Sequence, residues 1–280
     1  MNKLLRITSI RALALFALAC GLRAQTTAPA PAIAPAPAAP AAAPAPAAPS
    51  VSVVVTPSVV SQYMFRGNRL GGPAFEPAVE VDAGNLAVGV WTNFPIKDKV
   101  PGQSDPEIDP YGSYTLTVND SLSVAPGFTW YNYPNADTSN GFYKSTFEPN
   151  LALNYTVGGV KFTPKIYYDM VLSGPTYELT VAYTVPLKDI GSELDFTGVG
   201  GTYIIDKAAK GATPDVKNWG DYFLVGVGMP FAIGKNGKLT VGEAYTKGSG
   251  NFFKQGSAPK SANTAAVGRG VFSVSFAYTF

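Results

Sequence analysis

The sequence contains no histidine, and its single cysteine, Cys20, lies close to the start. Without histidine there is no Ser-His or Cys-His nucleophile, no imidazole general base and no His-ligated metal. Cys20 falls in a segment that reads as a cleaved leader. The mature chain would then have no disulfide, no thiol nucleophile and no thiolate metal site. Charge is scarce too, at 14% of residues with a formal net charge of +2. Residues 1–24 hold Lys3, Arg6, Arg11 and Arg23 and no acid, so 21 basic residues fall to 17 against 19 acids, a mature charge of −2. That is no footprint for nucleic acid. After residue 24 no apolar run is long enough for a membrane-spanning helix. These absences point away from an enzyme and call for no cofactor or metal.

Lys3, Arg6 and Arg11 form a basic start, and 12–22 is an apolar run too short to span a bilayer as a helix. Residues 1–24 read as a signal peptide cut after Ala24. Ala19-Cys20-Gly21 leaves a lipidated Cys20 as the other reading. Residues 25–50 are a linker, almost purely Ala and Pro over 28–49. Proline fixes φ and removes donors, so this stretch reads as an extended spacer of roughly 3.1 Å per residue. It serves as a periplasmic tether or as a stalk that contacts peptidoglycan.

Residues 51–280 carry short alternating apolar runs, read as strands near 51–66, 73–82, 85–96, 107–118, 121–133, 143–157, 159–172, 176–187, 192–205, 219–232, 238–247 and 270–280. Most approach the ten or so residues of a tilted membrane strand. At the end, Phe272, Val274, Phe276, Tyr278 and Phe280 alternate with Ser273, Ser275, Ala277 and Thr279. The connections alternate as well. Ala83-Gly84, Asn119-Asp120, Gly158 and 234–237 are short, whereas 67–72, 97–106, 134–142, 206–218 and 248–269 are longer. Short turns on one side and long loops on the other belong to outer-membrane barrels. The fold class is therefore all-β: a transmembrane antiparallel β-barrel of about twelve strands, in the cell outer membrane. A terminal aromatic face of Phe276, Tyr278 and Phe280 fits the signal read by the barrel assembly machinery. Against this stand Pro57, Pro77, Pro110, Pro126, Pro149 and Pro164, which fall inside the strands and cannot donate to a ladder. Gly198-Val199-Gly200-Gly201 lacks the lysine and helix of a phosphate loop and reads as a bulge or kink.

Ser61-Gln62-Tyr63-Met64-Phe65-Arg66-Gly67, with Gly89-Val90-Trp91-Thr92-Asn93 after it, resembles the opening of the TorF-type porin family. Glu107-Ile108-Asp109, Tyr131-Asn132-Tyr133-Pro134, Tyr167-Tyr168, Asp221-Tyr222 and Val271-Phe272-Ser273-Val274-Ser275 continue it in order. The resemblance implies an outer-membrane pore and no catalytic residues.

If the apolar face meets lipid, the other face lines the lumen. Arg66, Glu76, Glu80, Glu107, Asp109, Glu148, Lys161, Lys165, Asp169 and Glu178 are the candidate pore-lining residues, because a charge in the lipid band costs up to about 2–4 kcal/mol. They form either a solute path with a cation preference or neutralising pairs that fill the lumen. Phe75-Glu76-Pro77 recurs as Phe147-Glu148-Pro149, which similar strand chemistry suffices to explain. Loop 248–269, with Lys254, Lys260, Arg269 and neighbouring Lys247, carries no acid and faces the lipopolysaccharide phosphates. The expected function is a porin-like channel for passive diffusion of small hydrophilic solutes. The alternative is a non-conducting barrel serving as scaffold, adhesin or cell-wall anchor. Deleting 28–49 is expected to leave the barrel intact, because such a segment builds no packed core. Unchanged amounts of folded barrel in membrane fractions would bear this out, and loss of assembly would overturn it.

Overall fold

The computed structural model describes residues 51–98, 106–136, 138, 143–205, 218–249 and 268–280. The signal-peptide and linker assignments lie outside these residues, as does nearly all of loop 248–269. The wall of the fold has twelve strands. The first is split into β1 (Val51–Thr56) and β2 (Ser58–Val60), and the next two segments, β3 (Tyr63–Phe65) and β4 (Asn68–Gly71), stand apart from the wall. The second wall strand is β5 (Ala74–Phe75) with β6 (Ala78–Ala83), the third β7 (Leu86–Pro95), and the fourth β8 (Glu107–Tyr114) with β9 (Leu116–Asn119). The remaining eight are β10 (Leu122–Asn132), β11 (Ser145–Val157), β12 (Val160–Asp169), β13 (Gly174–Leu187), β14 (Ser192–Ile205), β15 (Asn218–Ile233), β16 (Gly237–Gly248) and β17 (Arg269–Thr279).

Each wall strand pairs antiparallel with its sequence neighbour, and the last pairs with the first. Val54 faces Thr279 and Val59 faces Val274. The backbone N–H of Phe280 donates to the Val53 carbonyl at 2.9 Å and that of Thr279 to Asn236 at 3.0 Å, so the chain end is sewn into the seam. The sheet is a closed barrel. Its connections are tight at one end (84–85, 120–121, 158–159, 234–236), and most are longer at the other (61–73, 96–106, 133–144, 206–217).

The outward face is apolar. Val88, Val90, Leu151, Leu153, Val225 and Val227 occupy its middle and are exposed. Aromatic residues ring both ends: Phe94, Trp130, Phe147, Tyr168, Trp219 and Phe272 towards the long loops, and Tyr114, Tyr155, Tyr183, Phe196 and Tyr278 towards the short turns. An apolar band between aromatic girdles is the surface that a bilayer solvates. The protein is a transmembrane antiparallel β-barrel of twelve strands.

The strand prolines find places that need no donor. Pro57 and Pro77 interrupt the first and second wall strands side by side, between Thr56 opposite Ala78 and Val59 opposite Phe75. Their carbonyls still accept, from Phe276 and Thr92, each at 3.0 Å. Pro126 falls between the stretches of β10 that pair with β8 and with β9. Pro164 lies where the β11–β12 register skips from Ala152–Lys165 to Tyr155–Phe162. Pro110 and Pro149 stand one residue beyond a ladder on one side. Each proline thus occupies a position where one ladder has stopped.

Two sequence expectations are corrected. The first strand ends at Val60, not at residue 66, and from there the chain turns away from the wall into β3 and β4. Gly198–Gly201 makes no bulge, since β14 keeps regular register with both neighbours. Gly201 is needed for a different reason: a Cβ there would run into the Tyr222 ring lying across it. A closed barrel without free edges should resist detergent until boiled. Unheated and heated samples should therefore differ in gel mobility, and identical migration would contradict the closed wall.

Candidate functional site

The long-loop half of the lumen is occupied by a hairpin from the chain itself. β3 and β4 pair with each other through a two-residue turn, Arg66-Gly67, with Phe65 opposite Asn68. Both turn residues have positive φ, 44° and 72°. That is the geometry of the twist-matched two-residue hairpin, in which glycine suits the second position and a non-glycine residue at the first is strained by about 1–3 kcal/mol. The strain persists because the surroundings hold Arg66 on several sides. Its guanidinium donates two hydrogen bonds to the Glu148 carboxylate, at 2.9 and 2.7 Å. It also lies 4.7 Å from the Phe65 ring centroid and 5.0 Å from that of Tyr167. Asn68 donates to the Arg66 carbonyl at 2.8 Å.

The hairpin is anchored around its rim. The Gly67 carbonyl accepts from the Gly248 N–H on β16 at 2.8 Å, an approach so close that a Cβ on Gly67 would collide with the Gly248 backbone. Tyr63 donates to Glu107 on β8 at 2.6 Å and packs its ring 5.9 Å from Trp91 on β7. Tyr63, Met64 and Leu70 form one buried cluster with Val60, Ala74 and Val271 of the wall.

Around the hairpin the inner wall is acidic and rich in tyrosine. Glu76, Glu107, Asp109, Glu148, Asp169 and Glu178 are all buried, with Arg66 the one buried base among the described residues. Glu148 also accepts from Tyr131 at 3.1 Å. Glu178 accepts from Tyr167 and Tyr222, both at 2.8 Å. Glu80, lower on the wall, accepts from Tyr111 at 3.1 Å. Asp169 accepts from Thr146 at 2.7 Å and caps the turn through the N–H groups of Val171 and Leu172. Lys165 lies 4.6 Å from the Tyr167 ring centroid, and exposed Lys161 stands on the same strand face nearer the short turns. The charged residues singled out from the sequence thus share the inner face, except that Arg66 reaches it from the hairpin rather than from the wall. Arg66 meets Glu148, while Glu107 and Glu178 also accept from phenols and Asp169 from a hydroxyl.

Below the hairpin several inward positions on β13 and on β15 to β17 are small: Ala182, Gly226, Gly228, Gly242 and Ser275, across from Glu80, Tyr111 and Lys161. Twelve strands make a barrel wider than the eight-stranded kind that side chains can close.

Sequence reasoning missed the hairpin. The available signal was length: a strand over 51–66 has sixteen residues where about ten cross a membrane. A Gly67→Ala exchange should undock the hairpin, since it combines a left-handed φ with the Gly248 collision. Trypsin cleavage after Arg66 in the folded protein is expected to be slow in the parent and at least tenfold faster in the variant. Equal rates would contradict the docked hairpin. Removing one partner of a buried ion pair costs about 3–5 kcal/mol, so Arg66→Ala should expose Arg69 to the same protease.

Among solved structures, similarity extends to the NanC porin (11% identity, 81% of this chain and 98% of that one, TM-score 0.47). It extends also to the KdgM porin (12%, 82% and 99%, TM-score 0.47) and to LpxR from Salmonella typhimurium (9%, 82% and 100%, TM-score 0.47). No curated protein sequence matches. Residues 42–223, well over half of the chain, match the family described as bacterial protein of unknown function (Gcw_chp), and the protein belongs to that family.

Proposed function

We propose that this protein is an outer-membrane channel for passive diffusion of small hydrophilic solutes, narrowed at its outer half by the Tyr63–Gly71 hairpin. One observation carries the reading. The barrel is apolar outside, while its inside is polar around the hairpin and lined by small residues such as Gly226, Gly228 and Gly242 below it. A purely structural barrel has no need of a polar inner face set with small residues; a diffusion path does. The TorF-type porin resemblance of the Ser61–Gly67 run supports the same reading, and that run holds the hairpin's first strand and turn.

In this reading Glu76, Glu80, Glu107, Asp109, Glu148, Lys161, Lys165, Asp169 and Glu178 line the path, and Arg66 sets the constriction from its centre. The long loops face lipopolysaccharide, the short turns and the Ala/Pro linker face the periplasm, and Phe276, Tyr278 and Phe280 present the strand read by the assembly machinery.

Planar-bilayer recording tests the proposal. The parent is expected to conduct in small steps. A variant with 61–72 replaced by a short Asn-Gly turn is expected to conduct several-fold more, because the obstruction is gone while the wall remains. Silence from both, with folding verified by heat-dependent gel mobility, would overturn the channel reading and favour the scaffold alternative.

A further inference from the structure

One carboxyl group stands on the lipid side of the barrel. Side chains alternate along β16, and Glu243 points outward: its ladder neighbours are Val227 on β15 and Phe272 on β17, both on the exposed apolar face. Val241 and Tyr245 flank it along its own strand. Glu243 is exposed, and among the described residues it makes no hydrogen bond or ion pair. The other outward charges on the wall, Asp221 and Lys247, stand near the long-loop ends of β15 and β16, where Lys247 lies opposite Phe223. Glu243 lies deeper than Lys247, beyond Tyr245 and inside the apolar band.

A carboxyl group facing hydrocarbon is costly unless a partner satisfies it. Lipid supplies none here. Acyl tails carry no donor, and lipopolysaccharide phosphates are anions that repel a carboxylate. A donor does stand next to it. Tyr245 is outward on the same strand with its ring 6.0 Å from that of Phe223, and its hydroxyl has no hydrogen bond among the described residues. Residues two apart on a strand are separated by about 7 Å, close to the length of a tyrosine side chain. The patch thus holds one unused acceptor and one unused donor side by side. The surface around them is uneven. Val225 and Phe272 are each 52% exposed. Gly198, opposite Val225, and Gly270, opposite Tyr245, leave open space where a Cβ would stand. Small residues of this kind let two membrane-embedded backbones approach closely.

We propose that the outer face of β14 to β17 docks a second copy of this chain, in a dimer whose two-fold axis runs along the membrane normal past Glu243 and Tyr245. In a two-fold interface every contact occurs twice, with the roles exchanged. Each copy's Tyr245 hydroxyl donates to the other's Glu243, which uses both orphaned groups at once. Projecting Val225 and Phe272 pack towards the hollows at Gly198 and Gly270. A patch that carries both halves of its own hydrogen bond fits itself, which is why the occupant is a second copy rather than an unrelated protein.

The interface is independent of whether the barrel conducts. Its test is the mass of the full chain by sedimentation in detergent, over a series of protein-to-detergent ratios. The parent is expected to pass from monomer to dimer as that ratio rises. Glu243→Val and Tyr245→Phe should each weaken association at least about tenfold, the loss set by a hydrogen bond to a charged group. Glu243→Gln keeps an acceptor and should associate nearly as well as the parent. Heat-dependent gel mobility verifies that every variant is a folded barrel. In a Cys20→Ser background, Val241→Cys should be joined between copies by a bifunctional maleimide in native membranes, and Leu151→Cys, across the barrel on β11, should not. A parent that stays monomeric at every ratio would overturn the interface. So would a Glu243→Val variant that dimerises like the parent, or linkage through Leu151→Cys in place of Val241→Cys.

Discussion

In hydrocarbon an unbonded backbone N–H or C=O has nowhere to turn, and every other feature of this protein depends on that constraint. A sheet in lipid has to close. Once closed, its two faces meet different solvents, and a strict two-residue period divides the side chains between them. Valines, leucines and aromatics go out; acids, tyrosines and glycines go in. Charge is thereby concentrated in the lumen even though the chain as a whole is poor in it.

That concentration creates a second demand. Six buried acids crowd one half of the lumen, and among the described residues the one buried base that meets them comes from the hairpin. Arg66 reaches Glu148 on the sixth wall strand, while its own backbone is tied through Gly67 to the eleventh. Glu107 and Glu178 are held by phenols. A tyrosine hydroxyl stabilises a carboxylate by donation without bringing a charge of its own, so the interior stays net acidic while most of its polar atoms are bonded.

Much of this was legible in the residues. Alternation and turn chemistry located the twelve wall strands, with 192–205 read to the residue, because a buried-or-lipid face leaves a period that propensity alone does not erase. The acids were assigned inward from the cost of charge in lipid, and the inner-face placement of Glu148 or Glu178 required nothing finer. Reading stopped where a segment obeyed no period. Residues 61–66 are aromatic and apolar like a strand, yet they pack against the inside of the same wall they seem to extend. Only three-dimensional contacts, such as Tyr63 on Glu107, distinguish the two cases. The prolines were equally opaque, since the ladder gaps that accommodate them are relations between strands. The Phe-Glu-Pro recurrence has a common geometry: in both copies phenylalanine is exposed, glutamate buried, and proline at a ladder gap.

The seam between the first and last wall strands has a kinetic meaning. Every other wall pairing joins sequence neighbours, so the sheet can grow as a chain of hairpins with short loops to close. The seam alone joins positions more than two hundred residues apart, as in the Ser61–Phe272 contact. Bringing such distant partners together is the entropically expensive and slow event in a topology that is otherwise local. Until it happens, two strand edges remain open, one of them already weakened by the Pro57 break. The growing sheet is therefore most vulnerable to mispairing at its two ends, and the ordering of β17 against β1 and β2 decides when that vulnerability is over.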